Sequence, residues 1–208
     1  MNVIPESARR AVALERLTVA LSALEAVAAL VSGILAGSVA LVAFGADSVI
    51  EVMSAVVVLG QLRAMVRSSD ASADREHRSH RIIAVLFFAL ATYVVVSASI
   101  DLVMSRHPSE NALGFVVCFA SIALMPSLAW AKRTTSRSLA QEGSAAVARL
   151  LNADASETAL CALLSVSTLL GVSLAAWVGW WWADPVASLA VVYFALREGA
   201  EAWRCDPD

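Results

Sequence analysis

Apolar runs long enough to cross a bilayer recur along this chain, and they constrain its fold more than any other feature. A spanning helix needs about 20 predominantly apolar residues. Six such segments can be drawn, over about 14–36, 39–62, 82–104, 112–131, 147–172 and 181–201. Composition agrees, since 59% of the 208 residues are hydrophobic and 16% are charged, with a mean hydropathy of +0.73. No polar region is large enough to fold as a second domain. The sequence therefore predicts an all-α integral membrane protein, a single domain of six transmembrane helices over residues 1–208.

An even number of spans puts both termini on one side. Every Lys and Arg except Arg106 then falls on that side, Lys132 and Arg133 among them, and the positive-inside rule makes it cytoplasmic. The first span is too long, and carries Glu25, so it does not read as a cleavable signal peptide. Gly37 and Ser38 form a tight outer turn, predicting that the first two spans pack as an antiparallel hairpin. The longest connection, RAMVRSSDASADREHRSHR, is polar, and Pro108 and Ser109 mark the second outer loop. Trp177, Trp180, Trp181 and Trp182 read as an interfacial belt. Asp101 reads as interfacial, and Asp184, preceding Pro185, as a cap for the sixth helix. Short loops without an organellar targeting segment favour a bacterial inner membrane as the cell membrane involved.

Some classes of function are excluded. A net charge of -3 with basic residues confined to loops argues against a nucleic-acid partner. No nucleophile elbow, phosphate-binding loop, HExxH or paired CxxC is present, so nothing points to an enzyme or to a prosthetic group. Three cysteines give no disulfide framework, and Cys118 reads as packing.

Within the second span, Asp47 and Glu51 interrupt the apolar run GSVALVAFGADSVIEVMSAVVVLG. A carboxylate near the centre of a span costs about 2.5–3.5 kcal/mol on insertion scales, so two of them call for a compensating cation. In the fifth span Glu157 and Cys161 are also four residues apart and share a helix face. At about 1.5 Å per residue, Asp47 and Glu51 lie roughly 12 and 18 Å below the outer surface, and Glu157 and Cys161 roughly 16 and 10 Å. The two pairs match in depth. Three carboxylates and one thiolate form a donor set suited to Zn²⁺, with Cd²⁺, Co²⁺ and Fe²⁺ as competitors. Glu25, mid-span in the first helix, is a possible accessory ligand or proton carrier.

At these residues the chain resembles the cation diffusion facilitators. Asp47 and Glu51 occupy the positions of the Asp or His and the Asp in that family's second helix. Ala153 and Asp154 match the start of its fifth-helix motif, which puts Glu157 on a His position and Cys161 on an Asp position, with Asp154 a further accessory candidate. Ala183, Asp184 and Pro185 reproduce the Ala-Asp-Pro that opens its sixth helix. Asp74, His77 and His80 resemble the Asp and His ligands that some bacterial members carry in the long cytoplasmic loop, a weak second site. The chain departs at Glu51, Glu157 and Cys161, and no C-terminal cytoplasmic domain follows Asp208, so a short, divergent member is expected.

The resemblance implies efflux of a divalent metal, zinc first, by alternating access with proton antiport, in a homodimer embedded in the lipid bilayer. Clustered carboxylates repel one another in a low-dielectric site, so a metal-free site retains a proton that metal binding expels. The rival reading is a non-transporting interaction or regulatory protein on the same scaffold.

Overall fold

A computed structural model describes residues 6–66, 73–105 and 112–204. Six α-helices follow in order: α1 (Glu6–Ala36), α2 (Val39–Val66), α3 (Ala73–Met104), α4 (Ala112–Gln141), α5 (Ala145–Ser173) and α6 (Ala183–Arg204). A wider π-helical turn, Leu174–Val178, continues α5 and stops at Gly179, whose φ is 75°. No strand occurs among the described residues. Helices α1 to α5 are each long and apolar enough to cross a membrane. α6 has 22 residues, and Arg197, Glu198, Glu201 and Arg204 crowd its last third.

Helices α1, α2, α4 and α5 form a four-helix core, in which α1 packs on α2 and α4, and α5 on α4 and α2. The α3–α6 pair leans on this core through α2 and α5. Phe88, midway along α3, meets Trp203 near the end of α6 edge-on at 6.4 Å, and Asp101 in the last turn of α3 is within electrostatic range of Asp184 at the start of α6, so the two run antiparallel. The polarity of α1 is inverted relative to a helix of a water-soluble bundle. On α1 the buried positions are Ser7, Ala8, Ala11, Glu15, Thr18, Ser22, Glu25, Ala26, Ala29, Ser32, Gly33 and Ala36. These are polar or small, whereas Leu24, Val27, Ile34 and Leu35 face outward. Such an arrangement suits hydrocarbon, where leucine gains nothing by hiding and polar groups need internal partners.

Both hairpins of the core close in the same way. At the α1–α2 turn the N–H of Gly37 donates to the Ile34 carbonyl and that of Ser38 to the Gly33 carbonyl, with Gly37 at φ 66°. At the α4–α5 turn, Gly143 and Ser144 donate to Ala140 and Leu139, with Gly143 at φ 86°. Each is a helix end that needs a left-handed residue, supplied by glycine. The first is the turn expected from Gly37 and Ser38; Gly143 was not singled out by the sequence.

Three sequence expectations change. The long connection is largely helical, because α3 begins at Ala73. Lys132 lies inside the core, fully buried, and not in a loop. Asp184 sits in the first turn of α6 but its carboxylate serves α2. Its Oδ1 accepts from Ser38 Oγ at 2.5 Å and its Oδ2 from the Ala40 N–H at 3.4 Å, while Ser38 Oγ accepts from the Leu41 N–H at 3.1 Å. The first donors of α2 need acceptors in a place without water, and Asp184 is the nearest carboxylate oxygen available. Asp101 is buried in the last turn of α3; it borders a cavity of about 240 Å³ beside Ser38, Tyr93 and Ser97. Trp177, Trp180 and Trp182 are exposed, Trp177 stacking on Phe115 at 5.5 Å and Trp180 on Trp182 at 5.2 Å.

Backbone contact between α1 and α2 rests on two glycines. A Cβ on Gly33 would stand 2.6 Å from the Val42 nitrogen, and one on Gly45 2.8 Å from the Leu30 nitrogen. Gly33→Ala and Gly45→Ala are each expected to lower stability by about 1–3 kcal/mol in thermal unfolding in detergent, through overpacking. Gly60→Ala, with open space around the new methyl, is expected to raise it by about 0.5–1 kcal/mol through helix propensity.

Candidate metal centre

Helical periodicity sets Asp47, Ser48, Glu51 and Ser54 along one side of α2, and Asp154, Glu157, Thr158, Cys161 and Ser165 along one side of α5. Glu51 is buried; its Oε2 accepts from Ser22 Oγ of α1 at 3.0 Å, and its Oε1 has no hydrogen-bond donor. Glu157 is half-buried, and its Oε1 likewise lacks a donor. Asp47 is half-buried, within electrostatic range of Glu51, Glu25 and Glu198. Glu51 and Asp47 lie within the same range of both Glu157 and Cys161. A cluster of acids in a low-dielectric interior, two of them with an orphaned oxygen, attracts cations.

Cys161 is buried, and its nearest polar neighbour is Glu25. The thiol donates to Glu25 Oε1 at 3.2 Å, and the same oxygen accepts from Ser48 Oγ at 3.0 Å and Ser121 Oγ at 3.4 Å. Ser165 Oγ donates on to Ser121 Oγ at 2.7 Å. Glu25, an accessory candidate from sequence, therefore touches the thiol directly and ties α1 to α2, α4 and α5. Among the described residues no three His, Cys, Asp or Glu side chains converge closely enough to enclose a metal ion.

Toward the end of the bundle that carries the chain termini lies a second charged group. Lys132 Nζ, on α4, forms a close ion pair with Asp154 Oδ2, hydrogen-bonds Thr158 Oγ1 at 3.1 Å, and lies 3.5 Å from Glu15 Oε1 of α1. Ser54 Oγ donates to Asp154 Oδ1 at 3.2 Å. Asp154 is thus engaged with a lysine. Sequence reasoning missed Lys132, Glu15 and Glu198. Lys132 directly follows an apolar run and resembled the basic end of a span. Glu15 was legible in principle, because 15, 18, 22 and 25 are polar at helical spacing. Glu198 has no comparable signal.

Asp74, His77 and His80 lie on the first turns of α3, and their side chains are outside the described residues, so the second site has no geometry. His107 and Cys205 also fall outside them. Cys118 is buried in the main apolar cluster with Met125 and Leu164, as its packing role anticipated.

Long, outwardly apolar helices around an acid-lined interior are the mark of a multi-pass membrane protein that handles cations. The profile of the cation efflux transmembrane domain matches residues 16–204, and the chain belongs to that family, whose members are transporters and not enzymes. It is also 27% identical over 173 residues to an uncharacterized transporter of Synechocystis sp. (strain PCC 6803), an overlap covering 81% of this chain and 54% of that protein. The chain thus spans about half the length of this curated relative.

Breaking a buried ion pair from one side leaves an uncompensated charge, at a cost of about 3–5 kcal/mol. Asp154→Ala is expected to lose stability on that scale in chemical unfolding. Arg197→Ala, which breaks the exposed pair with Glu201 at 3.1 Å, is expected to leave unfolding unchanged within error.

Proposed function

We propose that this protein exports a divalent metal cation, zinc in the first instance, from the cytoplasm in exchange for protons. The observation that carries the reading is the pair of orphaned buried carboxylate oxygens, one on Glu51 of α2 and one on Glu157 of α5. They face an interior that also holds Asp47 and Cys161. A metal drawn between α2 and α5 supplies the charge these groups lack, and Asp47, Glu51, Glu157 and Cys161 are its ligands. Glu25 is the accessory group, sharing its proton-bearing environment with the thiol. The mixed oxygen and sulfur donors favour Zn²⁺ or Cd²⁺, with Co²⁺ and Fe²⁺ less favoured, over Mg²⁺ or Ca²⁺.

Proton coupling follows from the same groups. Acids packed together in a low-dielectric medium do not all ionise until a cation arrives. Metal binding from one side releases protons, and reprotonation after metal leaves on the other side resets the site. In this reading α6 is the sixth span and both termini are cytoplasmic. Support for that orientation is the concentration of exposed Arg9, Arg10, Arg16, Arg63, Arg133, Arg137, Arg149 and Arg204 at one end of the bundle. A homodimer in a bacterial inner membrane completes the proposal.

Reconstituted vesicles test it. Zinc or cadmium placed on the side equivalent to the cytoplasm, with a proton gradient directed oppositely, is expected to move. Flux is expected to fall by at least about tenfold in the Asp47→Ala and Glu51→Ala double variant. Cys161→Ser is expected to shift preference away from Cd²⁺. Absence of flux for every first-row divalent ion, with metal binding unchanged in the double variant, would sink the transport reading in favour of an interaction protein on the same scaffold.

A further inference from the structure

Lys132 is a fully buried cation that the ligand set does not use. Its partners divide unequally between helices. On α5 it is held firmly, by the close pair with Asp154 and by Thr158 at 3.1 Å. On α1 it reaches Glu15 only at 3.5 Å, and both Glu15 oxygens lack a hydrogen-bond donor although the side chain is fully buried. The contact across to α1 is the longer and weaker half of the group. Just beyond it, toward the terminal end, Ala8, Ala11, Val58, Leu62, Leu139 and Leu151 form a separate apolar cluster contributed by all four core helices. Ser7 of α1 also donates to Glu142 in the α4–α5 turn. The core is sealed at that end, and Glu51 lies within electrostatic range of Lys132 just inside the seal.

We propose that Lys132 is a positioning residue for transport, which closes the terminal end of the core by holding Glu15 of α1 against α4 and α5. The proposal rests on the transport reading for its purpose, since a gate is useful only if the interior changes sides. A buried ion pair adds little net stability compared with apolar packing. Its value here is that it has two states. With Glu15 engaged, α1 is clamped and the metal-binding acids are shut off from the terminal side. With Glu15 released, α1 can rock away while Lys132 stays neutralised by Asp154, so opening leaves no unpaired ammonium. Rigid-body movement of one helix group against another is the usual form of such a change.

Cys161, buried and among the acids, reports the state of the gate. With Cys118 and Cys205 replaced by Ala, Cys161 is the sole thiol, and a membrane-impermeant thiol reagent can be added to either face of oriented vesicles. Glu15→Ala breaks the α1 half of the tie and keeps the Lys132 and Asp154 pair, so folding is protected. The variant is expected to label about tenfold faster from the terminal side and more slowly from the opposite side, as a shifted two-state equilibrium requires. Lys132→Arg, which preserves the charge, is expected to label as the parent does. A second variant, Glu15→Gln, keeps the size of the side chain and the Lys132 and Asp154 pair, and is expected to behave like Glu15→Ala. Parent-like labelling from the terminal side in folded Glu15→Ala, or acceleration from both faces alike as a merely loosened protein would show, overturns the proposal. Protection of the parent's Cys161 by Zn²⁺ is read in the same assay. A side-selective shift without zinc protection would keep the gate and sink the metal reading, so the two fail separately.

Discussion

Hydrocarbon offers no hydrogen bond, and this constraint organises the whole molecule. Every donor and acceptor placed within the spans has to find a partner inside the protein. Helix α1 therefore turns its serines, its threonine, Glu15 and Glu25 inward, and Leu24, Val27, Ile34 and Leu35 outward. The same constraint explains why Asp184 reaches across to the first turn of α2, and why Ser22, Ser48, Ser54 and Ser121 stand opposite carboxylates. With polar groups at the centre, close approach falls to small residues, and the contact of α1 with α2 passes through Gly33 and Gly45.

Satisfaction is nearly complete toward Glu25 and incomplete at Glu51 and Glu157. Glu25 has three donors on one oxygen, whereas Glu51 and Glu157 each keep an orphaned oxygen. That unevenness distinguishes Glu25 from the two acids proposed to take up a cation. Lys132 fits between these cases, an internal cation that neutralises Asp154 and, more loosely, Glu15. The interior therefore carries its own positive charge beside the acids proposed to take up a metal.

Much of the fold was legible in sequence because hydropathy measures what a bilayer selects. The five apolar spans and the Gly37 turn follow from it directly. Asp47, Glu51, Glu157 and Cys161 stood out because a charge or thiol in an apolar run is conspicuous, and their shared depth follows from helix rise alone. What hydropathy averages away is direction. The polar face of α1 at Glu15, Thr18, Ser22 and Glu25 is written at helical spacing, yet each residue is diluted by apolar neighbours that face lipid. Lys132 was concealed for the opposite reason, since a lysine at the end of an apolar run is the ordinary sign of a membrane boundary. The engagement of Asp184 with α2 joins residues distant in sequence, and no local pattern encodes it.

The proposed transport requires that a divalent cation be held inside the core by donors from α2 and α5. X-ray absorption at the zinc edge, on protein loaded with one equivalent of Zn²⁺, reads the donors themselves. The prediction is a four-coordinate shell of oxygens with one sulfur at about 2.3 Å. A six-oxygen shell resembling hydrated zinc, with no sulfur neighbour, would contradict it.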